Sequence, residues 1–356
     1  MTTPTSSLPS GQSGLSDLFE GMRSRSTLGS RTIQKSPIAF AAVLVTALTL
    51  GCLYPWMGGS SQPPLVVAIN PWPGYEFATL ARELDFFKQE GINVRLVELS
   101  SLGDSRRVFE RGQADGFFAT NVELLYTKDK LQRKPRITMV ADYSNGADVL
   151  IAPKPIADPS GLKGKRVGVE LGSLNAIILA RALSLNGLTW QDVDAINMPA
   201  IDMENALKSG KIDAAVSYPP MSIEILKNPE MRVIFSTSSI PGEIVDVLIF
   251  DDSIIRQRPK DIEAFHRAYH RAQQFAITSP DRSMKIMASR ERLSPEQFRE
   301  CMTDGIQIVY RRDQESFLSP IGSLAQSLEV LRNELKSIEQ IRGNWEVDEL
   351  IYPGKN

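Results

Sequence analysis

One pattern occurs twice in this chain, and it restricts the folds open to it. "RRVFERGQADGFFATNVEL" covers residues 106–124 and "ENALKSGKIDAAVSYPPMS" covers 204–222. Each reads as a short amphipathic helix, a glycine suited to a helix C-terminus (Gly112, Gly210), an aspartate (Asp115, Asp213) at the start of an apolar strand, then a loop and a new helix. Helix, strand and helix in turn describe a sheet covered on its faces, and the repetition points to two similar α/β halves.

The same alternation runs on both sides of the repeats. "LVVAIN", "INVRLVEL", "RITMVADY", "ADVLIAP", "RVGVE", "DVDAINM" and "MRVIFST" read as strands, and "EFATLARELDFFKQEG", "NVELLYTKDK" and "LNAIILARALSLNGL" as helices. Asp104 is the expected cap of the helix in "DSRRVFERGQ". After residue 258 the chain turns helical, over 260–278, 280–288, 294–309 and 324–342. This gives lobe one over 62–145 plus 241–356 and lobe two over 146–240, each a mixed, mainly parallel sheet flanked by helices. The connectors near 142–147 and 236–245 are the expected hinges. Ligands bind beyond the carboxyl ends of strands in such sheets, and between lobes.

Residues 1–61 form a leader outside that fold. Residues 1–36 are rich in Ser, Thr, Pro and Gly and cannot build a core. Arg23, Arg25, Arg31 and Lys35 then precede an apolar run from Ile38 to Leu53, followed by the linker "GGSSQPP". This is the layout of a secretory signal. "TLGC" is similar to a bacterial lipobox ending at Cys52, although Thr49 stands where Leu is preferred. Lipidation of Cys52, a plain cleaved signal and an uncleaved anchor all remain open, as does a start at Met22. Each places the folded part in the periplasm or cell envelope, with the N-terminus as the expected membrane tether.

Composition removes several functions. The chain has 356 residues and a formal net charge of -2, without the concentrated basic face of a nucleic-acid binder. It has no Walker loop, zincin helix or Gly-x-Ser-x-Gly, and no plausible triad. His266 and His270 share one face of the helix "EAFHRAYHRAQQF" and read as a boundary face rather than a metal site. Cys301 reads as a buried apolar residue. No cofactor and no catalysis are expected.

"NPWPGYEFATLARELDFFKQEGINVRLVE", "GQADGFFATNVELL", "DYSNGADVLIAP", "GLKGKRVGVELGS" and "GKIDAAVSYPP" follow one another in an order and spacing that carry a resemblance. Over roughly 64–340 the chain resembles the periplasmic solute-binding proteins of ABC transporters, of the nitrate/sulfonate/taurine and thiamine-pyrimidine-precursor type. The resemblance implies an α/β, two-lobed periplasmic-binding-protein fold (type II-like). It implies a monomer that closes on a small-molecule solute and hands it to an ABC permease in the inner membrane. The family usually enters its first helix with a proline near the ring-bearing loop; here Phe77 follows Glu76.

The candidate ligand residues follow from the expected loops. Trp72, Gly74, Tyr75 and Glu76 form the loop after the first strand, where rings can stack on a ligand or cover a cation. Pro71 and Pro73 stiffen it. Asn121 and Tyr218 occupy mirrored positions after the two repeated strands. Asp142 and Asp148 flank the crossing between lobes. Glu170 and Ser173 belong to the matching loop of lobe two, and Asp246 to the returning segment. These loops hold rings and carboxylates but no Arg, Lys or His. A dry cleft does not keep several carboxylates charged without partners. The expected solute is therefore a cation, an amine or a hydrogen-bond-rich heterocycle, and not nitrate or a sulfonate. The alternatives are a ligand-sensing envelope protein without its own permease, and an enzyme related to pyrimidine-precursor synthesis.

Overall fold

Apolar segments of the length of "LVVAI" form strands when both faces are covered, and the computed structural model shows where each of them lies. It describes residues 62–130, 134–343 and 345–352; the leader and Cys52 lie outside the described residues. The strands in chain order are β1 Leu65–Ile69, β2 Val94–Glu98, β3 Gly116–Thr120, β4 Pro135–Ser144, β5 Val149–Pro153, β6 Arg166–Val169, β7 Asp194–Asn197, β8 Ala214–Ser217, β9 Met231–Ser236, β10 Val245–Asp251 and β11 Ile306–Ile308. They form a six-stranded sheet, β11-β4-β10-β3-β1-β2, and a five-stranded sheet, β7-β6-β8-β5-β9. The architecture is the α/β, two-lobed periplasmic-binding-protein (type II) fold, with mixed sheets flanked by helices.

The sheets are not mainly parallel, as the strand–helix alternation suggested. β1 pairs in parallel with β2 and β3, and β6 with β7 and β8. β10 runs antiparallel to β3 and β4, β11 to β4, and β5 to β8 and β9. The physical reason lies in the connections. Parallel neighbours need a crossover, here supplied by helices. β4 passes directly into β5 and β9 directly into β10, so each crossing strand enters its new sheet in reverse.

The repeated motif folds as a repeat. Gly112 and Gly210 take φ of 72° and 68° at their helix ends, a conformation that disfavours a side chain. Asp115 Oδ2 accepts from Val66 N at 2.8 Å, and Asp213 Oδ2 from Arg166 N at 2.9 Å. Each aspartate thus pins its strand to the start of the parallel neighbour.

Several boundaries differ from expectation. Ser101, not Asp104, caps the helix Leu102–Glu110, accepting from Asp104 N at 3.2 Å. The segment 76–89 breaks at Asp85, with φ 57°, into two helices, Glu76–Glu83 and Phe86–Gln89. The helix expected over 294–309 is α-helical to Glu300 and π-helical over Cys301–Gly305, and β11 follows, because the edge of β4 offers Ile306–Ile308 a ladder. Cys301 is half-buried rather than buried. His270 is buried, and His266 donates to or accepts from Thr138 Oγ1 at 3.0 Å; burial holds the His266 imidazole down at about 3. Among the described residues no helix is long and apolar enough to cross a membrane.

Aromatic rings fill the core of the six-stranded sheet and lead towards its carboxyl end. Phe250 packs on Phe265 at 6.1 Å, Phe118 on Tyr269 at 5.9 Å, and Tyr75 on Phe118 at 5.0 Å. The last ring of that chain belongs to the loop after β1.

Candidate functional site

The loop after β1 is braced by the helices Pro259–Thr278 and Pro280–Glu291. Tyr269 OH donates to Gly74 O at 2.8 Å, and Trp72 N donates to Glu291 Oε1 at 2.8 Å. Arg290 donates from Nη2 to Asn70 O at 2.8 Å and from Nε to Glu76 Oε1 at 2.7 Å. The rings of this loop are therefore held before any ligand arrives, which lowers the ordering entropy that binding costs. Trp72 Nε1 donates to Asp142 Oδ1 at 3.1 Å, and Tyr75 OH donates to Asp246 Oδ1.

Asp142 and Asp246 face each other in the register of the antiparallel β4–β10 ladder. Like charges at such positions destabilise a sheet. Burial, opposed by the Trp72 hydrogen bond, pushes the Asp142 carboxyl up to about 7. Burial and the nearby Asp142 charge raise Asp246 well above the carboxylate range. Asp148, at the start of β5, is likewise pushed up to about 7 by burial. Gly74 sits against this group: a Cβ there would lie 2.6 Å from Asp142 Cγ and closer still to its Oδ2.

Asn70, Trp72, Tyr75, Thr120, Asp148 and Asp246, with Leu102 and Leu174, surround a narrow space between the two sheets, drawn in so far that no room for a water molecule is left in it. Asp148 Oδ2 and Asp246 Oδ2 are buried and accept no hydrogen bond from the described residues. Tyr218 meets Trp72 edge-on at 6.3 Å from the other side. Four predicted residues, Trp72, Tyr75, Asp148 and Asp246, thus line the space, while Asp142, Gly74 and Tyr218 stand directly behind it.

The remaining predicted residues serve other contacts. Asn121 ties its helix to the returning segment through Glu243 O at 3.0 Å and Val245 N at 3.3 Å. Ser173 caps the helix Leu174–Ser184. Glu170 Oε1 accepts from Ser101 Oγ at 3.0 Å, a bond from one half of the molecule to the other. Glu76 faces Arg290, away from the space.

Two features escaped the sequence. Glu123, fully buried, accepts from Leu174 N at 2.7 Å with one oxygen and from Thr120 with the other. It joins the halves through a helix N-terminus, where a carboxylate is favoured. The second is Arg290, which gives Glu76 the basic partner that the loops lack. Its neighbour Glu291 is raised well above the carboxylate range by burial and then by the Glu76 charge. Replacing Arg290 by Met would leave Glu76 buried without a counter-charge. The expected loss is about 3 kcal/mol of stability, read as a lower urea midpoint; an unchanged midpoint would show that Glu76 is satisfied without Arg290.

The connectors between the sheets lie side by side. Ser144 Oγ and Thr237 Oγ1 are 2.7 Å apart, Gly146 N donates to Thr237 Oγ1 at 2.7 Å, and Thr237 N to Asp148 O at 3.0 Å. Thr237 therefore links both crossings to the aspartate that lines the space.

Known proteins show what this arrangement is similar to. The NMT1/THI5-like family model matches residues 72–283. A binding protein of Brucella abortus (strain 2308) is 26% identical over 242 residues, 64% of this chain and 70% of its own length. The 4-amino-5-hydroxymethyl-2-methylpyrimidine phosphate synthase of Aspergillus parasiticus is 22% identical over 220 residues, 56% of this chain and 62% of its own. Among solved structures, the periplasmic aliphatic sulphonate binding protein of Escherichia coli superimposes with a TM-score of 0.67 at 15% identity, over 82% of this chain and 98% of that one.

Proposed function

The chain belongs to the NMT1/THI5-like family, and from that premise we propose that it is an extracytoplasmic solute-binding protein that captures a small cationic or donor-rich heterocyclic solute and delivers it to an ABC permease. The observation that carries the solute class is the pair of buried, donorless oxygens, Asp148 Oδ2 and Asp246 Oδ2, at a narrow, collapsed space beside Trp72 and Tyr75 that a solute would have to open. A buried carboxylate oxygen without a donor is costly, and an ammonium, amidinium or ring N–H supplies what it lacks. The rings add a face for a cation. An oxyanion would meet Asp142, Asp148 and Asp246 at close quarters.

We divide the chain into lobe one, 62–145 plus 241–356, and lobe two, 146–240. The lobes close about the connectors that Thr237 bridges, and Ser101–Glu170 and Glu123–Leu174 are bonds of the closed form. A permease would read that closed shape. Binding is favoured over catalysis because His266 and His270 line a different cavity, with Thr138 and Tyr352, from the one at the donorless carboxylates. The leader would hold the protein at the cell envelope through Cys52; Cys52→Ser is then expected to move it from the membrane to the soluble fraction, and unchanged membrane retention would favour an uncleaved anchor.

Thermal-shift screening against amines, betaines, polyamines, pyrimidines, amino acids, nitrate and alkanesulfonates tests the solute class. A saturable upward shift is expected with a cation or heterocycle. A shift with nitrate or an alkanesulfonate alone would keep the binding role and overturn the solute class.

A further inference from the structure

A second cavity, of about 520 Å3, opens beside the helix Leu102–Glu110. Its charge is opposite to that of the acidic space. Arg106, Arg107, Glu110 and Arg111 reach it from this helix and its C-terminal turn, Tyr126 and Lys130 from the helix Asn121–Lys130, and Gly172 from the loop after β6. Two of the cations are answered nearby. Arg106 pairs with Glu110, and Arg107 with Asp104 at 2.7 Å. Among the described residues, Arg111 and Lys130 have no carboxylate partner.

The buried groups point the same way. Arg106 is 3% exposed and its Nε has no acceptor; Tyr126 is 1% exposed and its hydroxyl has no partner. The Arg106 guanidinium lies 5.6 Å from the Tyr126 ring centroid. Burial raises the Tyr126 phenol, with the Glu123 charge adding to it, so the hydroxyl stays a donor. Partial burial lowers the Lys130 ammonium, the Arg106 charge adds to it, and the Glu110 charge opposes both. Gly172 takes φ 72°, and a Cβ there would come within 3.4 Å of Arg106 Nη2. The loop of the five-stranded sheet therefore rides directly on the guanidinium.

We propose that this cavity is a binding site for a phosphate group, held by Arg106, Arg111, Lys130 and the Tyr126 hydroxyl, and that its occupancy favours the closed form because its walls come from both sheets. Two unpaired cations and two unused buried donors are the equipment for a dianion. The phosphate has two possible sources, free inorganic phosphate or a phosphate carried by the cleft's own solute. The site stands apart from the reading of the acidic space, since binding of phosphate alone needs no ligand there.

Calorimetric titration of the full-length chain at low ionic strength, with inorganic phosphate and with phosphoethanolamine, tests it. Saturable binding is expected, weakened at least tenfold by the combined change Arg111→Glu and Lys130→Glu. Both side chains are exposed, and an unchanged urea midpoint would confirm that the variant folds. Phosphoethanolamine binding that Asp148→Asn also weakens would assign the phosphate to the solute. Phosphate binding that Asp148→Asn leaves unmoved would assign it to a separate ion. Absence of binding by either probe, or binding that the double charge reversal does not weaken, overturns the proposal.

Discussion

Asp148→Asn is expected to make the unliganded protein more stable at pH 8 while removing its affinity for a cation. In the fold, burial lifts Asp148 from 3.8 to about 7. An acid whose folded pKa lies above its unfolded pKa keeps its proton longer when folded. The folded state then binds more protons between pH 3.8 and about 7, so this group's contribution to stability falls as pH rises through that window. This is the reverse of a salt-bridged aspartate. The lift corresponds to a cost of about 4 kcal/mol at most once the group is ionised. Asparagine keeps the shape and omits the charge. The stability gap between variant and wild type should be small at pH 4 and grow to a few kcal/mol by pH 8, by urea unfolding at each pH. A variant less stable than wild type at pH 8 would mean that the Asp148 charge is satisfied within the protein. That result would remove the reason to seek a cation.

Gly74→Ala is expected to abolish solute binding and to destabilise the chain. The position needs glycine for space, not for its φ. The added methyl would overlap the Asp142 carboxyl, whose Cγ lies 2.6 Å from the Cβ position. Asp142 cannot step aside freely, because Trp72 Nε1 holds it at 3.1 Å and β10 flanks its strand. The loop cannot rise without loosening Tyr269 OH from Gly74 O. Overpacking of this kind costs about 1–3 kcal/mol. The larger loss is geometric: displacement of Trp72 or Tyr75 by about 1 Å spoils a preorganised site. Thermal shift with the best solute and urea unfolding read both effects. Full binding in the variant would show that the loop and Asp142 are not one assembly.

The ring-bearing loop and the mirrored aspartates were legible because their signals are local. Trp72 and Tyr75 follow a strand within a few residues, and Asp115 and Asp213 repeat at the same place in two matching segments. Asp148 and Asp246 were found from their positions at the crossings. Glu76 belongs to loops without Arg, Lys or His, and its basic partner, Arg290, comes from 214 residues away. No window of sequence contains that pair. Glu123 lies inside the helix Asn121–Lys130 with no local signal of its role; docking of the helix Leu174–Ser184 makes it a capping group. Strand direction was misjudged for a related reason. Alternation of apolar residues defines a strand's faces, but its direction depends on where the chain crosses between sheets.

The charge of the solute is the central claim, and the pH dependence of affinity tests it most directly. Calorimetric titration from pH 5.5 to 8.5 with the most stabilising amine of the screen, and with ethanesulfonate, is the measurement. Asp148, pushed up to about 7, must lose its proton to hold a cation. Amine affinity is therefore expected to rise with pH until about 7 and then level off, with protons released on binding, while ethanesulfonate gives no saturable heat. Tight ethanesulfonate binding that weakens as pH rises would contradict a cation-binding cleft.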